Sequence, residues 1–586
     1  MRRLAEANAS AVRYLVMVAR LCLLAAALAG CAENSFGVET APPLDAGGGD
    51  PCEPGSARCG EAGAVERCGD GGLWESAGAC AGGRICQDGA CVFPPVCRAG
   101  ERVCQDRDVA ECLPDGSGFT DLETCPPDAV CEGGTCLHLC TRAEATKSFI
   151  ACEFYSYALD NPEVTTGYSI IAANPNVDLP APALVTVDTR SGDGWSAVGT
   201  MSVAPGAIEN MNLTPRSIAN SGVEPAAYRI TSSLPILLYQ LNGYSYLGGG
   251  GSSSGATLLF PKPALGLDHY GLTLPQGSQA GCSDFYGGSD GTCRGDLVVV
   301  ATEDDTTLTV RASGSITAGG DVPALARGDS WETTLDAGDV LQLATDAPES
   351  DLTGTFVRSD KPIAFFGAHE ASSPGGTYAW DHFEEQLPPV EAWGKQYVAA
   401  KIVPTENPGA APIWRIVASE DGTTLTFDPG SGASGLPTAP IVLDAGDWYE
   451  TRTNGHFFVE ASAGVLVAQF VTADTDMVVM PPVEQYLPEY YFTNFAGGEV
   501  TGTLTVVRPS GATITLDDGP WSATWSDAGG GFEVAQAVSL VGNHRLSGSS
   551  SPDKPAPPAI LLRGNGGGCT FSYVGGLNLE IINAPD

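Results

Sequence analysis

Ala301-Thr302-Glu303-Asp304-Asp305-Thr306-Thr307-Leu308-Thr309-Val310 recurs as Ala418-Ser419-Glu420-Asp421-Gly422-Thr423-Thr424-Leu425-Thr426-Phe427, with a weaker copy at Ser510-Gly511-Ala512-Thr513-Ile514-Thr515-Leu516. Acidic and glycine residues supply a turn, and alternating Thr and apolar side chains supply a half-buried strand. A second element, Leu335-Asp336-Ala337-Gly338-Asp339, returns as Leu443-Asp444-Ala445-Gly446-Asp447 and reads as another turn between strands. A third is a continuous apolar strand: Pro235-Ile236-Leu237-Leu238-Tyr239, Pro362-Ile363-Ala364-Phe365-Phe366 and Val465-Leu466-Val467-Ala468-Gln469-Phe470. Such runs belong in the centre of a sheet covered on both faces. Phe260-Pro261, Leu387-Pro388 and Met480-Pro481 join the units, with Tyr270, Tyr397 and Tyr490 at a common distance beyond them. The expected fold is all-β: three to four tandem sandwich-like units of about 90–130 residues each,. A β-propeller body is the alternative, although a usual blade has only about 40–50 residues.

Outward from this body, which spans residues 141–586, the cysteines change the picture. Cys52, Cys59, Cys68, Cys80, Cys86 and Cys91 form one set, and Cys97, Cys104, Cys112, Cys125, Cys131 and Cys136 form a second with nearly the same gaps. Trp74 matches Phe119, and Gly89 matches Gly134. Two small modules, 52–96 and 97–140, each with three disulfides, are expected, because chains this short bury too little apolar surface to fold unaided. Connectivity stays open. Zinc is the weaker reading, since no C-x2-C knuckle occurs, and no metal is assigned. Cys282 and Cys293 are placed to close a polar loop. Cys140 pairs with Cys152 across the junction, or Cys152 with Cys569 clasps the body's ends.

The N-terminus carries Arg2, Arg3, Arg13 and Arg20, then the apolar run 21–28 and Leu28-Ala29-Gly30-Cys31. This has the form of an export signal, residues 1–30, ending in a bacterial-type lipobox. Cys31 is the expected lipid attachment, residues 31–51 a flexible tether, and the cell envelope (outer membrane or cell surface) the expected location. The net charge of −41 over 586 residues excludes a basic footprint for nucleic acid,. It reads as solubility, with calcium or a cationic partner as the sharper alternative.

Polar chemistry concentrates in His369, Glu370, Asp381, His382, Glu384 and Glu385. A metal site or a carboxylate pair for hydrolysis uses such residues, so an extracellular hydrolase acting through Asp381, Glu384 and Glu385 is one hypothesis. The bland reading is that Asp381 and His382 tie down a loop while the glutamates are solvated. No H-E-x-x-H spacing occurs, and no G-x-S-x-G elbow for a serine nucleophile is apparent. The glycine-rich Gly248–Gly255 lacks a phosphate-loop lysine, and no cofactor is expected. Arg294-Gly295-Asp296 spells an integrin-type tripeptide but leads straight into a strand.

Ser148-Phe149-Ile150-Ala151-Cys152-Glu153-Phe154-Tyr155, with Leu159-Asp160-Asn161, resembles the opening of the N-terminal region of IgG Fc-binding proteins. So does Asp381-His382-Phe383-Glu384-Glu385-Gln386-Leu387-Pro388-Pro389-Val390, running on to Trp393-Gly394-Lys395-Gln396-Tyr397-Val398. The repeated hairpin and Ser359-Asp360-Lys361-Pro362-Ile363 are also similar to that family. The resemblance covers most of residues 145–580 and rests on scaffold motifs. In an animal mucus protein the region is associated with antibody Fc, while bacterial relatives carry it on exported proteins. Fold resemblance does not carry a site. The expected function is non-enzymatic: a displayed lipoprotein with a binding or adhesion role toward a glycan or protein ligand. A structural envelope spacer is the remaining alternative.

Overall fold

The two repeated turns clasp each other. Asp304 accepts the backbone N–H of Ala337 at 3.1 Å, and Asp336 accepts that of Asp305 at 3.1 Å. One unit later Asp421 accepts from Ala445 at 3.0 Å and Asp444 from Gly422 at 3.2 Å. The Thr306 and Thr423 hydroxyls donate back to the carbonyls of Glu303 and Glu420. The acidic repeat is therefore a structural device that satisfies turn amides. The strands alternate as the Thr/apolar pattern requires: in Thr306–Arg311, Thr306, Leu308 and Val310 are buried between more exposed neighbours.

The computed structural model describes residues 50–583 except 61–62, 83, 162–166, 193, 246–248, 278–291, 375–379, 405–406, 474, 495–500, 539–540, 552–553 and 567–568. Cys31, the export signal, nearly all of the tether and Cys282 lie outside the described residues. By internal contacts the chain separates into two compact units. One runs up to Cys97 and includes Asp115–Gly118; the other comprises Arg98–Pro114 and Phe119–Asp586.

The first unit holds the first cysteine-rich module, bridged Cys52–Cys68, Cys59–Cys86 and Cys80–Cys91. In the second unit Cys104–Cys131 and Cys125–Cys136 repeat two of these links, and Cys112 there is also disulfide-bonded, as is Cys97 in the first unit. The matching glycines have a reason. Gly89 and Gly134 have φ of +79° and +76°, and a Cβ on either would strike the backbone of Ala57 or Arg102.

The body is mostly strand. Four hairpins recur, each a long strand followed by a return strand: Tyr228–Ser245 with Gly249–Leu258, Phe356–Ser372 with Asp381–Gln386, Val465–Val471 with Asp476–Val479, and Ala559–Gly566 with Cys569–Val574. The third repeat shows the plan. One sheet runs Gln396–Ala399, Phe457–Ala461, Thr423–Pro429, Ile441–Leu443; the other runs Trp448–Arg452, Ile413–Ala418, Val465–Val471, Asp476–Val479. Trp414 of one sheet meets Phe457 of the other edge-to-face at 5.2 Å in the interior. In the second repeat both halves merge, because Phe356–Ser372 runs unbroken where Ser462-Ala463-Gly464 interrupts its counterpart. These are tandem sandwiches, and they do not close as a propeller. The four return strands pack on one another, Gly249–Leu258 and Asp476–Val479 each contacting both Asp381–Gln386 and Cys569–Val574.

The body's ends are tied together. Cys140, in the helix Leu139–Thr146, is bonded to Cys152. Ser148 forms a β-bridge with Asn578, and Leu579 N–H donates to Lys147 O at 3.0 Å. The equally spaced tyrosines lock strand entries: Tyr397 donates to Val465 O and Tyr490 to Pro558 O, each also accepting the N–H three residues before it.

The second turn motif is also the joint between repeats. Gly446 (φ +80°) meets Gly354 (φ +87°) backbone to backbone, and a Cβ on Gly354 would collide with the Gly446 carbonyl. Gly446→Val is expected to cost about 1–3 kcal/mol in backbone strain and about 1–3 kcal/mol more in overpacking. Gly422→Ala, at φ +72° with open space around it, carries only the strain. Urea unfolding of the two variants separates these effects; equal losses would contradict a packed joint.

Candidate functional site

The return strand Asp381–Gln386 is buried at every position. Its alternating sides face different neighbours, so its polar side chains enter the interior in two directions. Glu384 accepts Gln240 Nε2 at 2.9 Å and Asn242 Nδ2 at 3.1 Å, and lies 3.1 Å from His382 Nε2. Asp381 accepts the N–H of Ser254 at 2.8 Å, its neighbour's N–H at 2.9 Å and the Thr570 hydroxyl at 2.7 Å. Glu385 takes the Thr257 hydroxyl at 2.6 Å. Glu370 accepts the N–H of Arg294 at 2.9 Å, and His369 Nε2 lies 3.1 Å from Pro275 O.

All six candidates thus fall in one buried polar layer where the repeats meet. The glutamates are not solvated, contrary to the sequence expectation: Glu384 is 0 % and Glu385 2 % exposed. Sheet register causes this. Pairing of Phe366 with Gln386 and Ala368 with Glu384 draws the strand into the interior. Their donors are mainly neutral amides and hydroxyls from Tyr228–Ser245, Gly249–Leu258 and Cys569–Val574. Gln240, Asn242, Thr257, Asp476, Arg563 and Thr570 were not singled out from sequence. A signal existed, since Gln240 and Gln469 each interrupt an apolar run and Arg563 ends one. The tripeptide Arg294-Gly295-Asp296 is buried too, which removes it as an adhesion motif.

Burial dominates the electrostatics. It pushes the Asp381, Glu385 and Asp296 carboxyls well above the ordinary carboxylate range, and Asp476 up to about 7, with Arg563 opposing. Burial holds His269, His369 and His456 down at about 4. The signs oppose below neutrality. Raised carboxyls stabilise most at low pH, and that stability is lost as pH rises through their folded values. Depressed histidines stabilise above about 6.5, and that stability is lost as pH falls toward 4. Of these groups only the carboxyls still titrate above pH 6.5, and they should lower the unfolding free energy from pH 6.5 to 9, against an opposing contribution from Lys401, whose ammonium is held below the ordinary lysine range by burial,. Each titrating group contributes a slope of up to about 1.4 kcal/mol per pH unit. Asp476→Asn should flatten the decline around pH 7 in urea titrations; an unchanged slope would count against the assignment.

Among the described residues, all six candidates are buried. A large cleft among the described residues lies elsewhere, between the second and third repeats, with a volume of about 930 Å3. Arg311, Arg327, Ser350, Thr353, Leu443 and Trp448 are among its walls, and none of the six candidates is. Among the described residues, no group of His, Cys, Asp or Glu is arranged to hold a metal ion.

A family model described as IgGFc binding protein matches residues 255–554, just over half of the chain. The chain belongs to the IgGFc-binding protein family. Human IgGFc-binding protein is 27 % identical over 349 residues, which covers 58 % of this chain and 6 % of the human protein. This IgGFc-binding family match begins in the first return strand and ends in the fourth repeat. It therefore includes Asp381–Gln386, the clasped acidic turns and the cleft.

Proposed function

We propose that this chain is a non-catalytic binding protein, tethered by a lipid on Cys31 and displaying its β body on the cell envelope. The tether would occupy residues 31–51, the two bridged modules 52–96 and 97–140, and the binding body 141–586. One observation carries the non-catalytic reading. Asp381, Glu384 and Glu385, the carboxylates available for hydrolysis, are buried and accept hydrogen bonds from the scaffold. A catalytic acid or base must reach its substrate within hydrogen-bond distance. Family membership supports the same reading, since the human relative is named for binding IgG Fc. A protein ligand is accordingly the first class to test, with glycans beside it.

The test is to immobilise the purified chain and present IgG Fc, envelope glycoproteins and a glycan array. Saturable binding without turnover is expected, and Glu384→Gln should leave it intact wherever the variant folds. Turnover of a polysaccharide or peptide that Glu384→Gln abolishes would reverse the reading. Incorporation of a lipid probe, lost in Cys31→Ser, tests the anchor; an unlabelled parent chain would remove it.

A further inference from the structure

The two cysteine-rich modules share a hairpin but not its surroundings. In the first module Ile85–Gln87 pairs with Ala90–Val92, setting Ile85 opposite Val92 and Cys86 opposite Cys91. In the second, Val130 stands opposite Leu137 and Cys131 opposite Cys136. Directly opposed residues share one face of a hairpin. In the second module that face is covered. Val130 packs against the core of the body, Leu137 is half-buried, and the chain runs on into the helix Leu139–Thr146, which His138 caps. Among the described residues of its own unit, the first module's face has no such cover. Ile85 is 45 % exposed, Val92 36 %, Phe93 63 % and Val96 71 %.

This apolar strip is held in place. Pro94 and Pro95 bar a helix after the hairpin,. Val96 N–H donates to Gly116 O at 2.8 Å, and a Cβ on Gly116 would come within 2.7 Å of the Pro95 ring. A partner therefore meets a surface that needs little ordering. The Arg84 guanidinium lies 4.7 Å from the Phe93 ring centre. Within a chain of net charge −41, residues 84–97 carry one cation, Arg84, and one anion, Asp88. An apolar strip without net charge, with an aromatic ring and a guanidinium side by side, suits the boundary of a bilayer. There the ring enters the acyl region and the cation meets phosphate. The tether favours a bilayer over other apolar partners. Residues 31–51 lead directly into this module and, as a coil, would span roughly 25 Å. A lipid on Cys31 would thus keep the strip at high effective concentration beside the membrane.

We infer that Ile85, Val92, Phe93 and Val96 form a membrane-contact face, by which the first module rests on the lipid surface that anchors the chain. The inference rests on the reading of Cys31 as the anchor and adds a second, non-covalent contact that fixes how the module lies. The test uses residues 32–586, which keep every described residue. A histidine tag at their N-terminus holds them on phosphatidylcholine vesicles containing a nickel-chelating lipid and brominated acyl chains. In Phe93→Trp the added fluorescence, measured against the parent chain, should shift to the blue and be quenched. Val442→Trp, at a 64 % exposed site on the body, should show neither. No quenching at position 93, or equal quenching at both positions, overturns the inference. Hydrogen exchange needs no substitution: tethering should slow the amides of residues 84–93, and unchanged exchange there overturns the inference too. A dimer in free solution that Phe93→Ser dissociates would give the face to a second copy of the chain and overturn it as well. If position 93 is quenched while Cys31 takes up no lipid probe, the lipid contact stands and the anchor falls. If Cys31 is labelled and position 93 is not quenched, the anchor stands without this face.

Discussion

Arg415→Ala is expected to lower the unfolding free energy by about 3–5 kcal/mol, the usual cost of removing one partner from a buried charge cluster. Arg415 is 2 % exposed and central to the joint between the second and third repeats. Its guanidinium lies 2.7 Å from Asp351 and 2.9 Å from Glu450. It also donates to Thr273 O and Thr353 Oγ1, both at 2.7 Å, and covers Trp448. Truncation leaves Asp351 without its counter-charge, a backbone carbonyl without its donor, and a cavity beside the indole. Arg415→Lys should not restore stability, because one ammonium cannot reach four acceptors in a planar fork. Arg415→Met with Asp351→Asn should recover part of the loss by removing the stranded charge. Chemical denaturation of the three variants measures this. A loss under about 1 kcal/mol for Arg415→Ala would mean that water replaces the guanidinium.

The second large effect is expected from reduction. Each bridge in a small disulfide-dependent module is worth about 2–5 kcal/mol. The first module's hydrophobic interior is correspondingly thin, with Val65 and Cys68 among its few buried apolar residues. Dithiothreitol should therefore unfold both modules, while the body, with its extensive apolar core, stays folded. Hydrogen exchange should show residues 52–140 losing protection and the four long strands keeping theirs. Loss of Cys140–Cys152 should fray the helix Leu139–Thr146 without unfolding the sheets. Modules that remain protected after full reduction would show that packing, not the bridges, holds them.

The likeness between the repeats was legible because it is local. A turn such as Asp421-Gly422 and an alternating run such as Leu425-Thr426-Phe427 carry their conformation in neighbouring residues. The cysteine gaps likewise announce paired modules, since a bridge constrains spacing along the chain. Which of the ~15 pairings of six cysteines forms in the first module is not local. Cys59–Cys86 needs its two strands brought together, and Gly89 to let backbone approach backbone.

The polar stretch Asp381–Gln386 marks where sequence reasoning stops. Two glutamates beside an aspartate and a histidine look like solvent-facing or catalytic groups, because a carboxylate is costly to bury alone. Their placement depends on partners more than a hundred residues away, Gln240, Asn242 and Thr257 on one side and Thr570 on the other. Only the assembled repeats supply those donors, and only then does burial become affordable in free energy. The same holds for Arg415 and for the cleft beside it, which exist where two repeats meet and in neither alone. Period, turn chemistry and covalent spacing settle the strands, the repeats and the modules. Burial, charge pairing and the shape between repeats arise from long-range packing, which no single stretch of this chain encodes.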